Sequence, residues 1–382
     1  MIFQGGVTMP IPSGSHLSPT DISNPLGIVG NHQLLLRLER DIREGHLSHA
    51  YILDGKEGSG RHTIATHIAA ALACHHRPHR DEWFDMDSEQ YSFDLGDTPL
   101  PAHDPYAPIP CGVCEGCRKV QEGICPDVHL IGRGGKATLG VDAIRHLRQD
   151  VYLGPGDMDK KLYIIEDAHT LTPQAQNALL LTLEDPPPYV VFLLLCDGAD
   201  KLLETIRSRA PILRILPVSD EEITSYLKSH GISLPTDELS LVLQAADGCI
   251  GKALALSNAK ARKSLIKQRE LADAFVTACV TKRPEDAISA LYAFGNKRDA
   301  VSEMLSLVSL SLRDLLLSQK KERPILQYYI HPDTAAELSS STTPKALLAL
   351  YDAVETAQVS LARNASVRLT LTQLLINAGI LM

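Results

Sequence analysis

The chain has 382 residues, 44% of them hydrophobic, enough for about two or three domains with separate cores. No apolar run approaches the ~20 residues of a membrane span and no basic-then-apolar signal opens the chain, so membrane and secreted classes are excluded and a cytoplasmic protein is expected. The net charge of −9 argues against a strongly basic nucleic-acid binder. Residues 81–110, however, hold eight acids and no Lys or Arg, and without them the chain carries about −1.

Residues 1–23, rich in Gly, Pro and Ser, read as a flexible leader. Leu34, Leu35, Leu38 and Ile42 recur at helical spacing, predicting an amphipathic helix over 31–44 that stops at Gly45. The apolar run 50–53 is a strand, 55–63 a glycine loop, and about 63–74 a helix. Residues 78–110 break this pattern with prolines, acids and aromatics. That composition reads as a solvated, disordered insertion, with a partner-binding acidic loop as the other reading.

After a cysteine cluster come a strand (128–131), a helix (141–151), a strand (161–165), a helix (173–183), a wholly apolar strand (190–196), a short helix (201–207) and a last strand (212–216). Strands alternating with helices at this spacing predict a doubly wound α/β parallel sheet with ligand sites at the carboxyl ends of its strands. From Ser219 onward the pattern is helical. Ser219 and Glu222 form a capping box, one helical unit ends near 261, and a second all-helical unit runs to the C-terminus.

Four groups carry chemistry. Gly55-Lys56-Glu57-Gly58-Ser59-Gly60-Arg61-His62-Thr63 lies between a strand and a helix, the setting of a P-loop, where backbone N–H groups and a helix N-terminus cradle phosphates. The motif's closing Lys and Ser/Thr are replaced by Arg61 and His62, so ATP or ADP binding here stays open. Glu166 and Asp167 end an apolar strand as the acids of a Walker B element do, in reversed order. Cys111, Cys114 and Cys117 recur every third residue, letting a tight turn bring the sulfurs to the ~2.3 Å that zinc requires. Spacing favours Cys125 as a fourth ligand to a structural zinc, with Cys74 further back in the chain. Arg209, in Ser208-Arg209-Ala210, precedes a sheet strand, and its fixed planar charge suits either a surface ion pair or a phosphate in a neighbouring subunit.

Taken in order, these motifs resemble the clamp-loader branch of the AAA+ proteins. The resemblance runs through the opening segment 24–30, the glycine loop, Cys-Gly-x-Cys-x-x-Cys at 111–117, Pro126-Asp127 and Leu139-Gly140-Val141-Asp142. It continues through Asn177-Ala178-Leu179-Leu180, Leu183-Glu184-Asp185-Pro186-Pro187 and Ser208-Arg209. It covers residues 24 to about 260 well and the tail weakly, at Asn364 and 369–375. It implies an AAA+ core at 24–217 with the acidic insertion (78–110) and a zinc module (111–125), a helical lid at 218–262, and a helical collar at 263–382 that assembles a five-subunit ring. It also implies that Cys74 completes the zinc site, which puts Cys74 ahead of Cys125.

Further implications concern partners and chemistry. Arg209 would serve as an arginine finger, completing the ATP site of a neighbouring gamma/tau motor subunit, in a ring that also holds a delta subunit and acts on a sliding clamp and primer–template DNA. Lys136 and Arg145 would touch the DNA backbone. Relative to the motors, this chain lacks the P-loop lysine and hydroxyl, swaps the Walker B acids, has Gly251 where a lid arginine senses the γ-phosphate, and reads Cys196-Asp197 after the apolar strand. Losing several such groups together predicts negligible hydrolysis. The resemblance therefore points to a non-hydrolysing subunit. An active ATPase motor is the rival reading, and a zinc-dependent DNA-binding module is disfavoured by the near-neutral charge outside the acidic stretch.

Overall fold

A computed structural model of the protein describes residues 27–77, 109–319 and 325–381. The expected leader (1–23) and nearly all of the acidic stretch (78–110) lie outside the described residues. The chain forms two compact units, one of residues up to 230 with 248–251, the other of 231–247 with 252–382.

The first unit is built on five parallel strands, β1 (Ala50–Asp54), β2 (Val128–Ile131), β3 (Lys161–Ile165), β4 (Val190–Cys196) and β5 (Ile212–Arg214), in the order β2-β3-β4-β1-β5. Every residue of β3 and β4 is buried. This explains the unbroken apolar run of β4, and of β3 after its buried, ion-paired Lys161, since a parallel strand covered on both faces has no solvent side to alternate with. Along β1, Tyr51 and Leu53 join one core, with Leu38 and Ile42 of α1 (His32–Arg43) and Ile64 and Ile68 of α2 (Arg61–Leu72). Ala50 and Ile52 join the other, with Ile144 and Leu147 of α4 (Val141–Asp150) and Leu179 and Leu183 of α5 (Pro173–Glu184). The short α3 (Glu115–Gln121) packs on α2 through Cys117 and Val120.

Two expected elements are shorter in the structure. The helix at 201–207 is a single 3-10 turn, Ala199–Lys201, followed by α6 (Glu204–Arg207), because Leu202 and Leu203 are extended between them. The strand expected to reach 216 ends at Arg214. Ile215 N still donates to Asp54 O (2.8 Å), but Leu216 N turns to the Asn31 side chain instead (2.8 Å), and Pro217 has no N–H to continue the ladder.

Ser219 opens α7 (Asp220–Ser229) with both halves of the capping box made, its hydroxyl to Glu222 N and the Glu222 carboxylate to Ser219 N (3.0 Å). The second unit is helical throughout its described residues: α8 (Thr236–Ala246), most of α9 (Ile250–Ser257), α10 (Ala259–Val280), α11 (Pro284–Tyr292), α12 (Arg298–Ser318), α13 (Pro332–Ser340), α14 (Pro344–Ala362) and α15 (Val367–Asn377). Helix α10 passes residue 262 without a break. Its core joins Phe275, Leu305, Leu312, Leu347 and Leu371. Within it the fully buried Asp314 accepts from the backbone N–H groups of Gln327, Tyr328 and Tyr329, with Arg313 Nη1 3.1 Å away.

No helix among the described residues is long and apolar enough to cross a membrane.

Candidate functional sites

The glycine loop follows β1 at the carboxyl end of the sheet. Asp54 Oδ1 accepts from Gly198 N (3.0 Å), and Gly55 N donates to Cys196 O (3.1 Å), which ties the loop to the end of β4. Gly58 and Gly60 take left-handed φ values of 80° and 94°, and α2 begins at Arg61, two residues earlier than its apolar pattern indicated. At the lysine position, Arg61 is only 7% exposed, and its Nη1 is buried without a hydrogen-bond partner. Its charge acts on His169 and Cys196. Burial is the main cause of both of their shifts, lowering the imidazole and, with Asp54 beside it, pushing the Cys196 thiol up to about 12. His62 and Thr63 are exposed.

Both acids at the end of β3 face nitrogen-bearing side chains of their own chain. Glu166 Oε1 lies 3.4 Å from His62 Nε2, and Asp167 Oδ2 lies 2.8 Å from Arg133 Nη2. Beside the loop is a cavity of about 260 Å³ lined by Asp54, Gly55, Lys56, Ser59, Asp197 and Arg214, among others. Its two carboxylates, Asp54 and Asp197, are matched in number there by the cationic side chains Lys56 and Arg214. At the start of α9, Gly251 N donates to Gly58 O (2.9 Å). A Cβ at 251 would stand 2.9 Å from Gly58 Cα and 3.0 Å from Gly58 O, so only glycine lets this segment rest on the loop.

A second site forms where α2 ends. The donor atoms of Cys74, His76, Cys111 and Cys114 all lie within 4.8 Å of one another. Cys117 Sγ is 3.9 Å from Cys111 Sγ and 3.5 Å from Ala70 O. Cys114 N points at Cys111 Sγ (3.4 Å) and Cys117 N at Cys114 Sγ (3.5 Å), while burial pushes the Cys111 thiol up. A hydrogen bond with Cys117 holds Cys74 down at about 4, while the same contact and burial push Cys117 up. Thiolates with an imidazole, converging on one point, suit a tetrahedral zinc. Tight packing locks the group in place: a Cβ on Gly116 would overlap Ala73 O at 1.8 Å.

Cys125 stands outside the group, its buried thiol donating to Met158 Sδ (3.5 Å). Spacing favoured it, but its position is set by the turn before β2, where Asp127 accepts from the N–H groups of Gly156, Asp157 and Met158. His76 was missed. Its signal was the run Cys74-His75-His76, where a second donor type directly follows a candidate ligand.

Arg209, just past α6, donates to Thr205 O (3.0 Å) and to Glu184 Oε1 at the end of α5 (2.9 Å), with 36% of its side chain exposed. Lys136 and Arg145 are both exposed, and Arg145 pairs with Asp142 on the same helix (3.1 Å). The structure brings the glycine loop, Glu166, Asp167 and Gly251 together. The cysteine cluster and Arg209 are separate from them.

Residues 30–91 and 98–219 match the family model described as DNA polymerase III, delta subunit. Among curated proteins, DNA polymerase III subunit gamma of Buchnera aphidicola subsp. Schizaphis graminum is 29% identical over 233 residues, 60% of this chain and 56% of that protein. DNA polymerase III subunit delta' of Escherichia coli is 36% identical over 159 residues, 41% of this chain and 47% of that protein. The chain thus spans about half the length of these relatives. Among solved structures, a DNA polymerase III gamma subunit-related protein of Thermotoga maritima aligns with 92% of this chain and 99% of its own, at 15% identity and a TM-score of 0.45.

Proposed function

We propose that this chain, whose residues 30–91 and 98–219 match the DNA polymerase III delta-subunit family model, belongs to the clamp-loader family and is a non-hydrolysing, delta-prime-type stator of a clamp loader. Its work would be to help load a sliding clamp onto primer–template DNA in the cytoplasm, alongside gamma/tau motor subunits and a delta subunit. The observation that carries this reading is the filled state of its own loop. Arg61 is buried where a phosphate-reaching lysine would extend, Asp167 is paired with Arg133, and the His62 ring lies against Glu166. Gly251 rests on Gly58 where a sensing arginine would need room. A planar guanidinium is a poor substitute for the point charge of lysine, and a carboxylate committed to a protein cation, as Asp167 is to Arg133, is a poor magnesium ligand.

Arg209 is the group we assign to chemistry in trans. It would stabilise charge on the γ-phosphate of ATP held by a neighbouring subunit. In a reconstituted loader, Arg209→Ala should lower clamp-stimulated ATP turnover about tenfold or more while the complex still assembles on gel filtration. Unchanged turnover removes the finger role.

The motor reading is favoured by one observation, the longer match to a gamma subunit, 60% of the chain against 41% for delta'. Steady ATP hydrolysis by the isolated chain would establish it and exclude the stator. We assign the cysteine cluster to a structural zinc held by Cys74, Cys111 and Cys114, with Cys117 or His76 completing the tetrahedron. The zinc would supply cross-linking between α2 and α3 and no reactive water, since this set of donors fills all four positions. Lys136 and Arg145 remain our candidates for contact with the DNA backbone.

A further inference from the structure

A helix C-terminus favours cations, yet α5 ends on a carboxylate. Glu184 is its last residue, placed where the terminal backbone carbonyls leave a partial negative charge. Pro186 and Pro187 follow, so the helix cannot run on and carry the acid into its interior. The cation that offsets this placement comes from another element, 25 residues away in the chain: Arg209 Nη2 donates to Glu184 Oε1 (2.9 Å). A local preference broken at one position, and answered by one distant side chain, points to a role for the pair rather than for the helix.

The backbone that carries Arg209 is fixed without this pair. Ile206 and Ala210 are fully buried on either side of it, and the N–H groups of Ser208, Arg209 and Ala210 all bond back to α6. At the other end of α6, Leu203 N donates to Oε1 of the buried Gln176 on α5 (2.8 Å). What this scaffold leaves undetermined is the long side chain, which on a fixed backbone still samples many rotamers. Two contacts restrict it, Nη2 to Glu184 and Nη1 to the Thr205 carbonyl (3.0 Å). They engage two of the five N–H donors of a guanidinium and leave about three for an oxyanion outside the chain. With 36% of the Arg209 side chain and 50% of the Glu184 side chain exposed, water screens the pair, so the carboxylate orients the guanidinium without cancelling its charge.

We propose that Glu184 is a positioning residue for Arg209. The inference rests on the reading of Arg209 as the group that reaches ATP in a neighbouring subunit. Glu184 keeps the guanidinium in one orientation before that ATP is met, so less ordering remains to be done in the transition state. It touches no substrate and acts only through the arginine.

The test is steady-state ATP hydrolysis by the reconstituted loader with sliding clamp and primer–template DNA. Glu184→Ala should lower kcat about three- to tenfold at unchanged KM for ATP, because the arginine is present but must be ordered during the reaction. Glu184→Gln keeps an acceptor oxygen at the same reach and should recover most of that loss. The double variant Glu184→Ala/Arg209→Ala should be no slower than Arg209→Ala alone, as a residue acting through another requires. A merely structural role would instead shift the unfolding midpoint of the isolated chain or the assembly of the complex, and Glu184→Ala should leave both in place. If Arg209→Ala leaves turnover unchanged, the reading of Arg209 fails and this inference with it. If Arg209→Ala slows turnover while Glu184→Ala leaves it unchanged or raises it, positioning alone is overturned, as it is by a double variant slower than Arg209→Ala.

Discussion

His67 lies buried on α2 between the glycine loop and the cysteine cluster, with Nδ1 unpartnered, and burial lowers its pKa from 6.5 to about 4 despite the nearby Glu39. A histidine held neutral in the fold binds fewer protons than in the unfolded chain, so its contribution is complete above the unfolded pKa of about 6.5 and is lost as pH falls toward the folded value. The fold should therefore lose on the order of 3 kcal/mol between pH 6.5 and 4 from this residue. Urea denaturation across that window measures it, and His67→Gln should flatten the slope; an unchanged slope would show that the pKa of His67 does not differ between the folded and unfolded chain. Residue identity was legible at such sites, but the state of each residue was not. Nothing in the order of amino acids showed that Arg61 would be buried with a free Nη1, or that Glu166 and Asp167 would meet His62 and Arg133. Those partners lie on separate segments that converge only at the carboxyl edge of the sheet.

At the scale of elements, the contact of α9 with the glycine loop tests the proposed non-hydrolysing reading. Under the proposed clamp-loader reading, Gly251→Arg would supply the arginine that the motors carry at this position, but its Cβ would enter within 3.0 Å of Gly58 backbone atoms that cannot rotate aside. The variant is expected to lose about 1–3 kcal/mol of stability and to gain no ATP hydrolysis, as chemical denaturation and a phosphate-release assay would measure. A gain of turnover would show that the loop yields and that only the side chain was missing. The strands were easy to read because burial on both faces makes β4, and β3 beyond Lys161, apolar without a break, and α7 because Ser219 and Glu222 carry their own capping signature. Short elements were harder. The 201–207 helix and the end of β5 are set by tertiary partners, Asn31 above all, that local propensity does not register.

For the whole molecule, the cysteine cluster and the two cores make a joint prediction. The cluster ties the end of α2 to α3 inside the α/β unit, while the helical unit has a core of its own around Phe275, Leu312 and Leu371. Stripping the full chain with a strong chelator should release one zinc per chain and lower the calorimetric transition of the α/β unit, leaving that of the helical unit in place. Release of no metal would return the cluster to buried thiols. Sequence alone determined the parallel α/β core followed by helices, the altered glycine loop, and the cysteines and acids that carry chemistry, because apolar periodicity, capping and motif spacing are local properties of the chain. The tertiary structure decided what those groups do to one another. It set Cys74 and His76 beside Cys111 and Cys114 with Cys125 apart, closed the acids on Arg133 and His62, and seated Gly251 on Gly58. Each of these contacts joins segments far apart in the chain, and its geometry follows from strand order and helix packing that no local pattern specifies.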